Sequence, residues 1–212
     1  MDLMTRSAEI DALAGLTRRV LLWAAGTSLL AGPVRSAPAQ AGSVNDARGE
    51  CFVDAAERRQ LAASAPVFVG DMVATGKESQ LGLMLGTRTR IKLGANSRLR
   101  IDKFLPDLGG ELLLERGALR AAHEPGGNTG LSINSPFGLL AVRGTDFFAG
   151  TLDGVFGVFV ERGVVTVTGG NKTVTVTANK GTNILRPGGR PSEPAVWKAP
   201  RLRRARALVE RI

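Results

Sequence analysis

The sequence predicts an all-β protein: short strands with glycine-rich turns in a layered, solenoid-like or sandwich-like domain, with short helices at the N- and C-termini. Three observations carry that prediction. From Val67 onward, short apolar segments recur between Gly, Asn, Asp and Pro, which punctuate strands. Several segments alternate with period two, as half-buried strands do. Arg90-Ile91-Lys92-Leu93 and Arg98-Leu99-Arg100-Ile101 put apolar residues on one side and basic ones on the other, and Thr173–Thr177 alternates Thr with Val. Finally, 27 glycines and only 5% aromatic residues, with no Tyr, favour tight turns over helices.

The first 41 residues read as an address. Thr17-Arg18-Arg19 opens an apolar run whose core, Val20 to Ala31, is 12 residues long. A bilayer span needs about 20 apolar residues, so this run has the length of a signal-peptide core. Small residues follow, and Ala37-Pro38-Ala39 and Ala39-Gln40-Ala41 both fit a cleavage site, with cleavage after Ala41 preferred. The paired arginines, the long leading segment and Arg35 resemble a twin-arginine (Tat) export signal, with Leu21 where that pattern usually has Phe. The expected localisation is therefore periplasmic, after cleavage.

Residues 42–66 form the next segment, an expected helical lead-in around Ala55–Leu61. The β domain is expected over 67–182. Within it, Gly94-Ala95-Asn96-Ser97 is turn chemistry, and the continuously apolar Phe156–Val160 reads as a strand covered on both faces. Leu114-Glu115-Arg116-Gly117-Ala118-Leu119 and Val160-Glu161-Arg162-Gly163-Val164-Val165 form a weak repeat, consistent with a repeated strand-turn-strand unit. Residues 183–212 read as a Pro/Gly-rich linker and a basic helix carrying Leu202, Ala205, Leu208, Val209 and Ile212 at helical spacing. That helix either packs its apolar stripe on the domain or meets an anionic membrane surface or acidic partner.

The formal charge is +9, and the first 41 residues account for only +1 of it. Such a surplus suits anionic partners. Cys51 is the single cysteine, which excludes an internal disulfide, and it reads as a quiet thiol. His123, the single histidine, reads as a solvated loop residue. Clustered metal ligands, phosphate-binding glycine patterns and nucleophile–base constellations do not appear in the sequence, so no catalytic, metal or cofactor site is expected.

A family resemblance rests on six motifs in order. Val69-Gly70-Asp71-Met72-Val73-Ala74-Thr75-Gly76 is followed by the alternating Ser79–Leu85 and by Thr87–Ile101 with Ser97. Then come Leu112–Leu119 with Gly117, Ser135-Pro136-Phe137-Gly138 through Ala141-Val142-Arg143-Gly144-Thr145-Asp146-Phe147, and Val158–Val165 with Gly163. Together these resemble the FecR domain, over about 115 residues. The resemblance implies structural roles for Gly70, Asp71, Thr75, Gly76, Ser97, Gly117, Pro136, Arg143, Gly144, Thr145, Phe147 and Gly163. Arg143, beside Val142 and Phe147, would be costly to bury alone, so a pair with Asp71 or Asp146 is expected; ligand capture by an exposed Arg143 is the rival reading.

Membrane FecR regulators join a cytoplasmic sigma-binding segment and a spanning helix to an outer domain. Here 19 residues precede the short apolar run, so the chain is expected to resemble the outer domain alone. The resemblance then implies a non-enzymatic protein–protein interaction or envelope signalling module, with another envelope protein as partner. A binder of anionic cell-wall or polysaccharide polymer is the alternative, and nucleic acid is not expected.

Overall fold

Period-two alternation becomes strand wherever a neighbour supplies the hydrogen-bonding edge. The computed structural model describes residues 38–106, 108–124 and 130–210. Residues 1–37, most of the segment read as a signal peptide, lie outside them. Five strands precede the first long apolar alternation: β1 (Gln40–Arg48), β2 (Cys51–Val53), β3 (Arg59–Gln60), β4 (Pro66–Phe68) and β5 (Met72–Thr75). Then follow β6 (Gln80–Leu85), β7 (Thr89–Leu93), β8 (Arg98–Leu105), β9 (Gly109–Arg116), β10 (Ala118–His123) and β11 (Gly130–Ser135). The long hairpin β12 (Gly138–Leu152) and β13 (Val155–Gly169) leads to β14 (Lys172–Thr177), β15 (Lys180–Ile184), β16 (Ala195–Val196) and the helix α1 (Ala199–Val209).

All sixteen strands join one sheet, and twelve follow a single path, β3-β2-β5-β8-β9-β11-β12-β10-β7-β6-β1-β4. The sheet curls into two halves that share β12 and β13. In the front half, β11 pairs with the first part of β12 (138–142), and β14 pairs with the last part of β13 (164–169). In the back half, β10 pairs with the last part of β12 (145–150) and β15 with the first part of β13 (156–159). One core fills the space between the halves. Leu99, Ile101, Leu112, Ile133 and Val167 enter it from the front, and Leu83, Ile91, Leu93, Phe147 and Val158 from the back. These side chains meet no water, and each contributes roughly 1.5–3 kcal/mol of transfer free energy.

A second, smaller cluster lies on the outer side of the back half. Ala118, Phe148, Leu152 and Phe159 meet Trp197 and the α1 residues Ala205 and Val209, with Leu202 packed against them. Phe156–Val160 is therefore buried throughout: Phe156, Val158 and Val160 face the core, and Phe159 faces the helix cluster. Leu202, Ala205 and Val209 of the tail's stripe pack on the domain, while Leu208 is exposed and Ile212 lies outside the described residues; this favours the packing reading of the helix over the membrane one.

Three expectations need correction. The segment 42–66 is not helical: its chain forms β1 to β3, and residues 55–57 make only a bend. A helix of about seven residues cannot repay its nucleation. Pairing β1 with β6 and β2 with β5 instead buries Val44, Phe52 and Val53, while the Leu61 amide donates to the Cys51 carbonyl at 2.8 Å. The stretch read as a linker carries β16, which pairs with β15, and the buried Trp197. His123 ends β10 with 3% exposure rather than lying in a solvated loop.

Candidate interaction surface

Five of the residues singled out from the sequence, Ser97, Gly117, Gly144, Thr145 and Gly163, form corners at which the chain passes between half-sheets. Gly163 has φ +87°, and a Cβ there would stand 2.3 Å from the Gly144 carbonyl oxygen. The Thr145 hydroxyl donates to the Val164 carbonyl at 2.9 Å and accepts the Val164 amide at 3.2 Å. The same device closes the turn from β9 to β10. Gly117 has φ +92°, and the Ser97 hydroxyl donates to the Ala118 carbonyl at 3.2 Å and accepts its amide at 3.0 Å. The 46-residue repeat is thus a repeated corner. A third, partial copy joins β1 to β2, where Gly49 has φ +71° and the Glu50 amide donates to the Ser79 hydroxyl at 2.8 Å.

Other motif residues brace these corners. The Thr75 hydroxyl donates to the Gly94 carbonyl at 2.6 Å and accepts the Ser97 amide at 2.9 Å. Gly76 donates its amide to the Glu50 carbonyl at 2.8 Å. Gly70 (φ +93°) donates to the Ile101 carbonyl at 2.7 Å, and Asp71 accepts from the Phe68 amide at 3.0 Å and from Arg59 at 2.8 Å. The Pro136 carbonyl accepts the Gly188 amide at 3.0 Å, Gly144 has φ +60°, and Phe147 lies wholly in the core. Arg143 departs from its expected pairing. It is exposed at a bulge in β12, Asp71 is taken by Arg59, and Asp146 is taken by Arg120.

The outer back face carries an ionic hub that sequence reasoning missed, centred on Arg120 outside the motifs. Arg120 alternates outward between core-facing Leu119 and Ala121 in β10. Its guanidinium forks onto Asp146 with two bonds of 2.9 Å, reaches Glu161 at 2.7 Å and also binds Glu210 beyond α1. The bulged register of the hairpin sets up this convergence. Asp146 pairs with Arg162 and Phe147 with Val160, which leaves Glu161 as the extra residue. The bond to Asp146 raises the Arg120 pKa, against the opposing effect of burial, so the cation stays charged. Arg206 of α1 adds a bond to Glu161 at 3.2 Å, and Lys92 approaches Glu210 at 3.7 Å. Its traces in the sequence are the Glu161 of the repeat and the Asp146 of the motif that was expected to pair with Arg143.

The hub borders a groove of about 360 Å³ lined by Asp46, Gln80, Gly82, Arg90, Lys92 and Glu210, among others. Charges of both signs line its walls. At the other end of α1, the Trp197 indole lies where a Cβ on Gly157 or Gly181 would stand 2.7 or 2.5 Å away, and Arg201 stacks on its ring at 4.0 Å. Two buried groups complete the inventory. The Cys51 thiol donates to the Gln80 carbonyl at 3.2 Å, and burial raises its pKa. His123 Nδ1 lies 2.9 Å from the Thr89 hydroxyl; burial, then the charge of Arg88, lowers its pKa. Among the described residues, three or more His, Cys, Asp or Glu side chains nowhere gather as metal ligands would.

Comparison with known proteins adds a family and a fold. Residues 71–166 match the family model described as FecR protein. Two crystal structures of a candidate anti-sigma factor from Parabacteroides distasonis are similar in fold, each with a TM-score of 0.54 and 15% identity. The chain spans 62% of that protein's length, and the match covers 62% of this chain. No curated protein matches.

Proposed function

Because residues 71–166 match the family model described as FecR protein, we propose that the chain is a non-catalytic signalling or regulatory module that is exported and acts on another protein of the cell envelope. One observation carries this reading. Four polar side chains of the family motifs, Asp71, Thr75, Ser97 and Thr145, each bond backbone groups of their own sheet. The motifs therefore build a rigid carrier, and recognition falls to the surface it displays, above all the ionic hub and its groove. The similarity in fold to a candidate anti-sigma factor fits a regulatory role.

The start of β1 bears on the cleavage site. Ala41 is buried, its carbonyl accepts the Gly86 amide at 2.9 Å, and Gln40 pairs with Phe68. Cleavage after Ala39 keeps those contacts and cleavage after Ala41 removes them, which supports a mature chain beginning at Gln40. Cell fractionation with mass spectrometry of the N-terminus tests export, and photo-crosslinking from a probe at Arg90 on the groove rim tests the partner. Periplasmic protein beginning at Gln40 and crosslinked to one envelope protein is the expected result. Uncleaved cytoplasmic protein would overturn export, and a probe that captures only lipid or polysaccharide would overturn the protein partner.

A further inference from the structure

We propose that β14 is a dimerisation edge, at which a second copy of this chain adds its own β14 antiparallel to extend the front half-sheet across a two-fold axis.

The ends of the sheet are unequal. β3 and β16 are two residues long, Pro194 precedes β16, and β4 has three residues and begins with Pro66. Short strands and prolines are how sheets blunt their edges. β14 differs. It has six residues, pairs only with β13, and after Lys172 reads Thr-Val-Thr-Val-Thr without charge or proline. A long, β-branched, uncharged edge is a template for strand addition.

The hairpin register fixes which groups it offers. Gly170 and Asn171 both have positive φ, +49° and +60°, as a two-residue type I′ turn requires, and Gly169 pairs with Lys172. In such a hairpin the closing pair exchanges hydrogen bonds and every second pair repeats this. Lys172, Val174 and Val176 therefore direct their backbone groups at β13, and Thr173, Thr175 and Thr177 direct theirs outward. An antiparallel copy centred on Thr175 sets Thr173 opposite Thr177 and Thr175 opposite itself, so every outward donor meets an outward acceptor. Val174 then faces Val176, and Lys172 faces Ala178, so no like charges oppose.

The self-complementary register selects the second copy as occupant, and the charge distribution permits it at this edge. Two chains of formal charge +9 repel each other over most of their surfaces. The strip that adjoins this edge carries little charge: Thr166 and Thr168 of β13 lie opposite Thr175 and Thr173, Leu139, Ala141 and Val164 follow on the outer face, and the exposed Arg143 of β12, opposite Val164, is a cation on that face. Two copies can approach there with few opposing charges.

Sedimentation velocity on the full chain, as purified and whatever its N-terminus, tests this independently of export. The expected result is a reversible dimer below about 100 µM chain, tightening as salt screens the net charge. Thr175→Lys sets two cations opposite each other on the axis. Thr175→Pro removes an outward amide without touching the β13 ladder. Each should weaken association at least about ten-fold, or about 1.4 kcal/mol, with the melting temperature of the monomer unchanged. Amide exchange at Thr175 and Thr177 should slow with concentration. A chain monomeric at about 100 µM, or a dimer that survives both substitutions or dissolves with moderate salt, overturns the proposal.

Discussion

The Thr145 hydroxyl holds both backbone groups of Val164, donating to its carbonyl at 2.9 Å and accepting its amide at 3.2 Å. Thr145 is fully buried at the point where β12 and β13 pass from one half-sheet to the other. Thr145→Val keeps the shape and strands both groups. The expected loss is about 1–3 kcal/mol, read as a lower urea midpoint at unchanged slope. Thr145→Ser keeps the hydroxyl and should lose less than half as much. Equal losses for the two variants would sink the clamp.

Gly163 and Gly154 separate strain from collision. Both have positive φ, +87° and +76°, so alanine at either costs about 1–2 kcal/mol in backbone strain. At Gly154 a Cβ meets nothing within 4 Å, whereas at Gly163 it meets the Gly144 carbonyl oxygen at 2.3 Å. Gly163→Ala should therefore be the worse by a further ~1–3 kcal/mol in thermal melts, as overpacking costs. Equal melting temperatures for the two variants would show that the corner yields.

Much of this frame was legible in the sequence because a corner leaves a local mark. Glycine after an Arg, an apolar pair beyond it and alternation on either side named Gly117 and Gly163 as equivalent before their φ angles were known. Thr173–Thr177 was equally plain, since its two faces have different solvents. What failed was set at long range. Ala55–Leu61 has helical composition, yet the neighbouring strands β1 and β2 find β6 and β5, some 20 to 40 residues away. Gly157 and Gly181 gave no hint that a tryptophan would lie on them. Arg120 was invisible because its three carboxylates come from β12, β13 and the chain end, brought together by a bulge. Arg143 was misjudged for the same reason: the bulge turns it to solvent and gives its expected partner to Arg120.

The hub should hold α1 in place. Arg120→Met leaves Asp146, Glu161 and Glu210 facing one another with less cation among them. The group is about a quarter exposed, so the cost falls between surface and buried pairs, at about 2 kcal/mol. The sharper readout is local: limited proteolysis should cut between Trp197 and Glu210 faster than in the parent chain. Glu210→Gln removes one charge and should do so more weakly. Unchanged cleavage in Arg120→Met would show that the apolar stripe alone docks the helix.

His123 predicts how stability depends on pH. Burial, then the positive charge of Arg88, holds its folded pKa below the usual value, so the folded chain keeps the ring neutral. The unfolded chain takes up a proton below about pH 6.5. The stabilisation is complete above that value and is lost as pH falls toward the folded pKa, at up to about 1.4 kcal/mol per pH unit. The chain has one histidine, so the window from about pH 7 to 5.5 follows this group. Thermal melts should fall across that window in the parent chain. In His123→Leu the slope should flatten, whatever the absolute stability of the variant. A parent chain whose melting temperature is level from pH 7 to 5.5 would place the ring in contact with water and return it to the loop role its sequence suggested.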